Sequence, residues 1–193
     1  LAQVVTIAVL FSGKGTNLQN LIERFHLKRF GDKSVKIVPV TNRPEAEGID
    51  RARALGVESI VIDHRAYESR ESFDAELVKT LKMINADLVV MAGFMRIVTE
   101  VFTSQIEAIN LHPSLLPLFK GANAVKESFQ SGMRVGGVTV HKVDSTLDGG
   151  EILDQTCVRI ERNDTLESYE ARIHEAEYEI LPHCIAKILN LHE

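Results

Sequence analysis

The chain has no tryptophan, two cysteines, no long apolar run and no excess of positive charge. The missing tryptophan excludes nothing about fold or activity. Cys157 and Cys184 show no C-x-x-C spacing, which rules against a disulfide framework; they are expected as buried thiols in a reducing compartment, the cytoplasm. No apolar stretch approaches the roughly 20 residues of a membrane span. Residues 4–11 are apolar but short, and Ser12-Gly13-Lys14-Gly15 follows them, so no signal peptide is expected. A net charge of −5 argues against a general nucleic-acid surface, which needs clustered positive charge, although it leaves room for a local phosphate pocket. No His/Cys/Asp/Glu cluster has metal-ligand spacing, and no metal is expected. His174-Glu175-Ala176-Glu177 is not a zinc-protease helix, because position 178 is Tyr. What is present is ordinary for a globular protein: 193 residues, 45% apolar and 25% charged. That is enough for one well-buried α/β domain and short for two, so 1–193 is expected to form a single domain.

Residues 4–11 form a continuous apolar run, the pattern of a buried parallel strand. A glycine-bearing turn leads into a helix from Asn17. Strands are expected at 35–41, 59–62, 88–93 and 108–111. Helices are expected at 48–55, at 69–84 with Ser69 as cap, and briefly at 99–104. After the Pro113–Pro117 stretch the pattern changes. A helix is expected at 124–131, and two antiparallel, β-branched strands at 135–143 and 152–160. A long helical stretch covers 166–191, with Pro182 marking a kink or break. The fold class is therefore α/β. Its Rossmann-like first half is a doubly wound, mostly parallel sheet, followed by antiparallel strands and a long C-terminal helix.

Chemistry concentrates in Asn110-Leu111-His112-Pro113-Ser114-Leu115-Leu116-Pro117. In a strand, positions i and i+2 face the same side, so the Asn110 amide and the His112 imidazole share one spot. That pairing suits an oxyanion that must be stabilised while a proton moves. A buried core histidine fits the same residues. In Phe11-Ser12-Gly13-Lys14-Gly15-Thr16-Asn17, glycines and a helix start suit one phosphate. The loop lacks the third glycine of a dinucleotide fingerprint and the Walker spacing, and a plain tight turn is the alternative. The stretch His141-Lys142-Val143-Asp144-Ser145-Thr146-Leu147-Asp148-Gly149-Gly150 is either a solvated turn or a return path bringing Asp148 to His112. Spacing does not choose between these. Met91-Ala92-Gly93-Phe94-Met95-Arg96-Ile97-Val98 fits either a core segment or the lining of a pocket for a flat ring.

Taken together, Ser12 to Gln19, Ala92 to Ile97, Asn110 to Pro117 and Leu147-Asp148-Gly149-Gly150 resemble the glycinamide ribonucleotide formyltransferases, of the folate-dependent formyltransferase superfamily. The resemblance runs from about Thr6 to about Leu189. It implies the formyltransferase fold and a catalytic trio of Asn110, His112 and Asp148. It implies ribose-phosphate contacts at Gly15, Thr16 and Asn17. Further substrate contacts fall at His174, Glu175, Ala176 and Glu177, with Glu177 near the glycinamide end. It also implies contacts to 10-formyltetrahydrofolate from Arg70, Met95, Arg96, Ile97, Val98, Asn110, Asp144, Ser145, Thr146, Leu147 and Asp148, and a cis peptide before Pro117. Some members carry Pro-Gly and then a histidine near the site. Here Phe119-Lys120-Gly121-Ala122-Asn123-Ala124 stands instead, with no histidine at 123.

The implied reaction is direct formyl transfer from 10-formyltetrahydrofolate to the amine of phosphoribosylglycinamide. The implied partners are small molecules, with neither nucleic acid nor membrane, in a monomer or homodimer. Two alternatives remain. A formyltetrahydrofolate hydrolase shares the core but usually adds an N-terminal regulatory domain. A non-catalytic folate- or nucleotide-binding module has no need of an acid–imidazole pair.

Overall fold

The apolar run near the start of the chain folds as β1 (Gln3–Phe11). In the computed structural model, which describes residues 2–192, its residues Ile7 to Phe11 are fully buried. A strand covered on both faces has no polar side to alternate with, hence the unbroken apolar pattern. β1 lies between β3 (Lys33–Thr41) and β5 (Leu88–Met91), parallel to both. β3 also pairs with β4 (Ile60–Val61), in parallel, and with the short β2 (Arg29–Phe30), antiparallel. β2 is not among the strands expected from sequence. Its signal is Gly31-Asp32, a two-residue hairpin link between Phe30 and Lys33.

These strands belong to one of two compact units, which comprises the chain up to Ala108 and the stretch from Asn190. Its helices are α1 (Thr16–Phe25), α2 (Glu47–Ala54), α3 (Arg70–Met83) and α4 (Glu100–Thr103). α1 buries Leu18, Leu21, Ile22 and Phe25, the i, i+3, i+4, i+7 stripe of an amphipathic helix. α3 starts at a capping box, in which Ser69 accepts from Ser72 N–H and Ser72 in turn caps the Ser69 backbone. Phe73, Leu77 and Leu81 of α3 are buried, each contributing about 1.5–3 kcal/mol by removal from water.

A side chain completes the sheet where β3 lacks a strand neighbour. Between its pairings with β2 and β4, the Ile37 N–H donates to His26 Nδ1 at 3.1 Å. The His26 ring must therefore keep that nitrogen unprotonated.

The second unit is Ile109–Leu189. It contains β6 (Ala108–His112) from Ile109 onward, α5 (Ala124–Gln130), β7 (Val135–Lys142), β8 (Ile152–Arg159) and α6 (Leu166–Leu189). β7 runs antiparallel to both β6 and β8, as the β-branched alternation predicts. α6 packs on β7, β8 and α5. Consecutive glycines in β7 permit close approaches. A Cβ at Gly136 would stand 1.8 Å from the Tyr169 hydroxyl, and one at Gly137 2.2 Å from Thr156 O. Tyr169 is fully buried, with its hydroxyl 3.1 Å from Ser128 Oγ.

The α/β class with a mostly parallel sheet and a C-terminal helix agrees with the sequence reading. One local expectation is narrowed and one does not hold. Pro182 does not break α6, which runs through it; Leu181, Pro182, Cys184 and Ile185 are buried, and packing holds the helix despite one missing N–H. Cys157 is not a buried thiol but is exposed, while Cys184 is buried. On β8 alternate residues face opposite sides, and Val158 takes the inward position.

Two outcomes are expected in denaturation experiments. Gly136→Ala should destabilise the protein by about 1–3 kcal/mol in urea unfolding through overlap with Tyr169. His26 should make stability fall on mild acidification. Burial, then the Lys36 charge, lower its pKa below the ordinary histidine value. The unfolded chain therefore takes up the proton first, and the His26 contribution, complete above about pH 6.5, is lost as pH falls below it. Thermal unfolding from pH 7.5 to 5.5 should show a shallower slope for His26→Gln than for wild type.

Candidate active site

In the first unit, chemistry-bearing loops gather where β1, β3 and β5 end. Ser12, buried at the end of β1, donates through Oγ to Asn42 Oδ1 at 2.5 Å and accepts from the Met95 N–H at 2.8 Å. One hydroxyl thus ties the loop after β1 to the segments after β3 and β5. The carboxyl ends of strands are where open α/β sheets bind ligands. Gly15 caps α1 in the left-handed region, φ +70°. A Cβ there would lie 2.5 Å from Gly48 Cα, and the Gly48 N–H donates to Gly13 O at 3.0 Å. The loop is therefore seated on the start of α2. Because Gly15 has no side chain to cap α1, the first-turn N–H groups of Thr16, Asn17 and Leu18 suit an anion.

Of the residues assigned to the folate, Met95 and Ile97 are more than half exposed and Val98 is buried. The Arg96 guanidinium lies over the Phe73 ring at 4.7 Å. Arg70 is the exposed first residue of α3.

The second unit holds Asn110, His112 and Asp148 together. Asn110 and His112 are two residues apart on β6. His112 Nε2 donates to the Phe119 carbonyl at 2.8 Å, because a carbonyl can only accept. That leaves Nδ1 facing Asp148 Oδ2 at 3.5 Å. Asp148 also accepts the Gly121 N–H at 2.8 Å, and its other oxygen lies 3.7 Å from His141 Nε2. His141 Nε2 in turn lies 3.1 Å from Asn110 Nδ2. Phe119 and Asp148, which supply the two groups flanking the His112 ring, both have positive φ, 54° and 48°. Neither is glycine, so tertiary contacts must hold them there.

Beneath this cluster the proline run is fixed by β7 and β8. The Leu116–Pro117 peptide is cis, as the resemblance implies. Thr139 Oγ1 donates to Ser114 O at 2.7 Å and accepts from Leu116 N–H at 3.1 Å and Gln155 Nε2 at 3.0 Å. Buried Ser114 donates to Leu118 O at 2.6 Å.

The remaining assigned residues lie apart from these contacts or bond locally. Asp144 accepts from the Thr146 hydroxyl at 2.5 Å and its N–H at 2.8 Å. Those bonds hold its carboxyl below the usual range. Ser145, Thr146 and Leu147 are exposed. On α6, His174 Nδ1 meets the buried Glu177 Oε2 at 2.8 Å, Glu175 points outward and Ala176 is half-buried. Asn123 is exposed just before α5. Among the described residues, no group of three or more His, Cys, Asp and Glu is placed to hold a metal ion, and no helix is long and apolar enough to cross a membrane.

Sequence reasoning assigned no role to His141, Thr139, Gln155, Ser114, Gly121 or the Phe119 carbonyl. His141 had a signal, since it opens the stretch that ends in Asp148 and, once β6 and β7 are paired, it faces Asn110. The backbone groups of Phe119 and Gly121 leave no residue-type signal at all.

Residues 5–185 match the formyl transferase family, and the chain belongs to it. The phosphoribosylglycinamide formyltransferase of Bacillus subtilis (strain 168) is 35% identical over 186 residues, which cover 95% of this chain and 94% of that protein. In the trifunctional purine biosynthetic protein adenosine-3 of Drosophila melanogaster, 38% identity extends over 186 residues; these span 95% of this chain but only 14% of that protein. The crystal structure of phosphoribosylglycinamide formyltransferase from Campylobacter jejuni superposes with a TM-score of 0.93 at 49% identity, covering 98% of this chain and all of that one.

Asp148 sets the electrostatics. Burial pushes its carboxyl up, but the His141 ring, the Gly121 N–H and the charge of His112 outweigh burial and leave its pKa below the ordinary value. The carboxylate is therefore expected to titrate at a lower pH than an exposed aspartate. Carbon-13 NMR titration, assigned with Asp148→Asn, checks this; titration above pH 4 contradicts it. The associated stability is present above the unfolded value and lost as pH falls through the lower folded one.

Proposed function

We propose that this chain transfers the formyl group of 10-formyltetrahydrofolate to the glycine amine of phosphoribosylglycinamide, in purine biosynthesis. The observation that carries the reading is one ionised carboxylate flanking an imidazole, on a strand that also presents a carboxamide, in a chain whose near-full-length relatives carry this name. In the reaction the amine nitrogen bonds to the formyl carbon and the bond from that carbon to folate N10 breaks. The amine gives up a proton and N10 gains one, so no covalent enzyme intermediate is needed.

Asn110 donates an amide N–H to the tetrahedral oxyanion, and protonated His112 supplies positive charge beside it. His112 Nε2 is committed to the Phe119 carbonyl, so Nδ1 is the nitrogen that holds the mobile proton. Asp148 favours the charged ring and orients it. Holding both substrates supplies the orientation that makes attack effectively unimolecular.

In this reading Gly15, Thr16 and Asn17 receive the ribose phosphate, and His174, Glu175, Ala176 and Glu177 complete the substrate contacts. Arg70, Met95, Arg96, Ile97, Val98 and Asp144 to Asp148 serve the folate, with the exposed apolar Met95 and Ile97 suited to a flat ring. Residues 1–193 then act as one formyltransferase domain in the cytoplasm. Asn110, His112 and Asp148 all come from one unit of one chain, so monomer and homodimer carry the trio equally.

The test follows tetrahydrofolate release from 10-formyltetrahydrofolate with and without phosphoribosylglycinamide. Strict dependence on the amine is expected. Release without it identifies a hydrolase, and folate binding without release identifies a binding module. His112→Ala and Asp148→Asn should each lower kcat by about 10²-fold or more while still unfolding cooperatively in urea, at a lowered midpoint. Wild-type turnover by both variants contradicts the scheme.

A further inference from the structure

Asp74 has no part in the scheme above, yet its carboxyl group is buried, the residue being 1% exposed. Such a group is costly to bury unless hydrogen bonds compensate it. Asp74 lies four residues after Arg70 on α3, so the two sit on neighbouring turns of one helix. Its Oδ2 accepts the Thr99 N–H at 2.6 Å. Thr99 is the point where the segment after β5 ends and α4 begins. At the other end of that segment, buried Ser12 accepts the Met95 N–H through Oγ at 2.8 Å, and its own N–H donates to Gly93 O at 2.9 Å. All of these residues belong to the first unit.

Residues 95–98 are neither helix nor strand. Among the described residues, they make no backbone–backbone hydrogen bond. Two buried side chains, Ser12 and Asp74, therefore fix the ends of the segment. Between those ends, the Arg96 guanidinium lies over the ring of Phe73, the residue just before Asp74 on α3. Held in this way, Met95 and Ile97 stay more than half exposed while Val98 is buried. A backbone fixed beforehand offers such apolar side chains to a flat ring without an ordering cost at binding. We propose that Asp74 is a positioning residue for the folate: it joins α3, which carries Arg70, to the segment that carries Met95 to Val98, and so presents these residues as one preformed surface, with Ser12 securing the far end.

The tie to Thr99 needs an acceptor oxygen at that place. A carboxamide of the same shape supplies one, so Asp74→Asn keeps the tie. Asp74→Ala removes it and leaves the Thr99 N–H without its acceptor. A role confined to stability would lower the unfolding midpoint and touch both substrates alike. A role in presenting the folate surface raises one KM. Loss of binding that ground state and transition state share raises KM and spares kcat.

The inference rests on the formyl-transfer reading, and the experiment separates the two. Steady-state kinetics with 10-formyltetrahydrofolate and phosphoribosylglycinamide are compared for the full chain and for Asp74→Ala, Asp74→Asn and Ser12→Ala, with tetrahydrofolate binding followed by calorimetry. Asp74→Ala should raise the 10-formyltetrahydrofolate KM about tenfold, with kcat and the phosphoribosylglycinamide KM within about threefold of wild type. Its tetrahydrofolate affinity should fall by about the same tenfold factor. Asp74→Asn should stay within about threefold of wild type in every measurement. Urea midpoints report whether each variant folds. If Asp74→Ala does not fold, Ser12→Ala carries the test and must raise the 10-formyltetrahydrofolate KM about fivefold or more. An unchanged folate KM in the folded variant overturns the inference. So does an equal rise in both KM values, or an Asp74→Asn protein as impaired as Asp74→Ala. A wild-type chain that binds tetrahydrofolate but formylates no amine overturns the transfer reading alone, and tetrahydrofolate affinity in the variants then decides the inference. A wild-type chain that binds no tetrahydrofolate overturns both.

Discussion

The antiparallel register of β6 on β7 is the constraint on which the second unit's chemistry depends. Asn110 pairs with His141 and His112 with Thr139, while Leu111 pairs with Val140 toward the other face. Side chains alternate along a strand, so a slip of one residue would exchange the two sets and send the polar pair into the apolar layer. The register is fixed by burial on that face, where Leu111 and Val140 are both inside. It is fixed on the polar face by Thr139, whose hydroxyl is fully used by Ser114, Leu116 and Gln155. The same pairing that stabilises the sheet therefore aims the amide and the imidazole.

Burying such a cluster is costly unless each member has a partner. His112, His141 and Asp148 have side chains only 6%, 4% and 10% exposed. Each has backbone company: His112 with Phe119 O, His141 with Lys142 O, Asp148 with Gly121 N–H. These backbone bonds choose one nitrogen of each ring as the donor to a carbonyl and leave the other facing Asp148. Low local dielectric makes that choice matter, because an unpartnered polar group there forfeits its hydration without return.

The first unit shows how far local pattern reaches. The apolar run of β1, the stripe of α1 and the Ser69 cap of α3 were legible because each depends on neighbours within a few residues. Gly31-Asp32 was legible in principle, as a two-residue link. The exposed face of Cys157 and the passage of α6 through Pro182 were not. Both depend on which surface another element covers, and propensity carries no information about that.

The sequence alone determined the α/β class, the strand that bears Asn110 and His112 at i and i+2, and the residue types able to stabilise an oxyanion. Periodicity and side-chain chemistry are local properties, so the sequence carries them openly. Only the tertiary structure decided that Asp148, 36 positions beyond His112, lies against that ring, that His141 stands opposite Asn110, and that two backbone carbonyls set the tautomers. Those facts arise from strand pairing and from the path of the connection between β7 and β8. They are long-range contacts, and no spacing in the sequence encodes them.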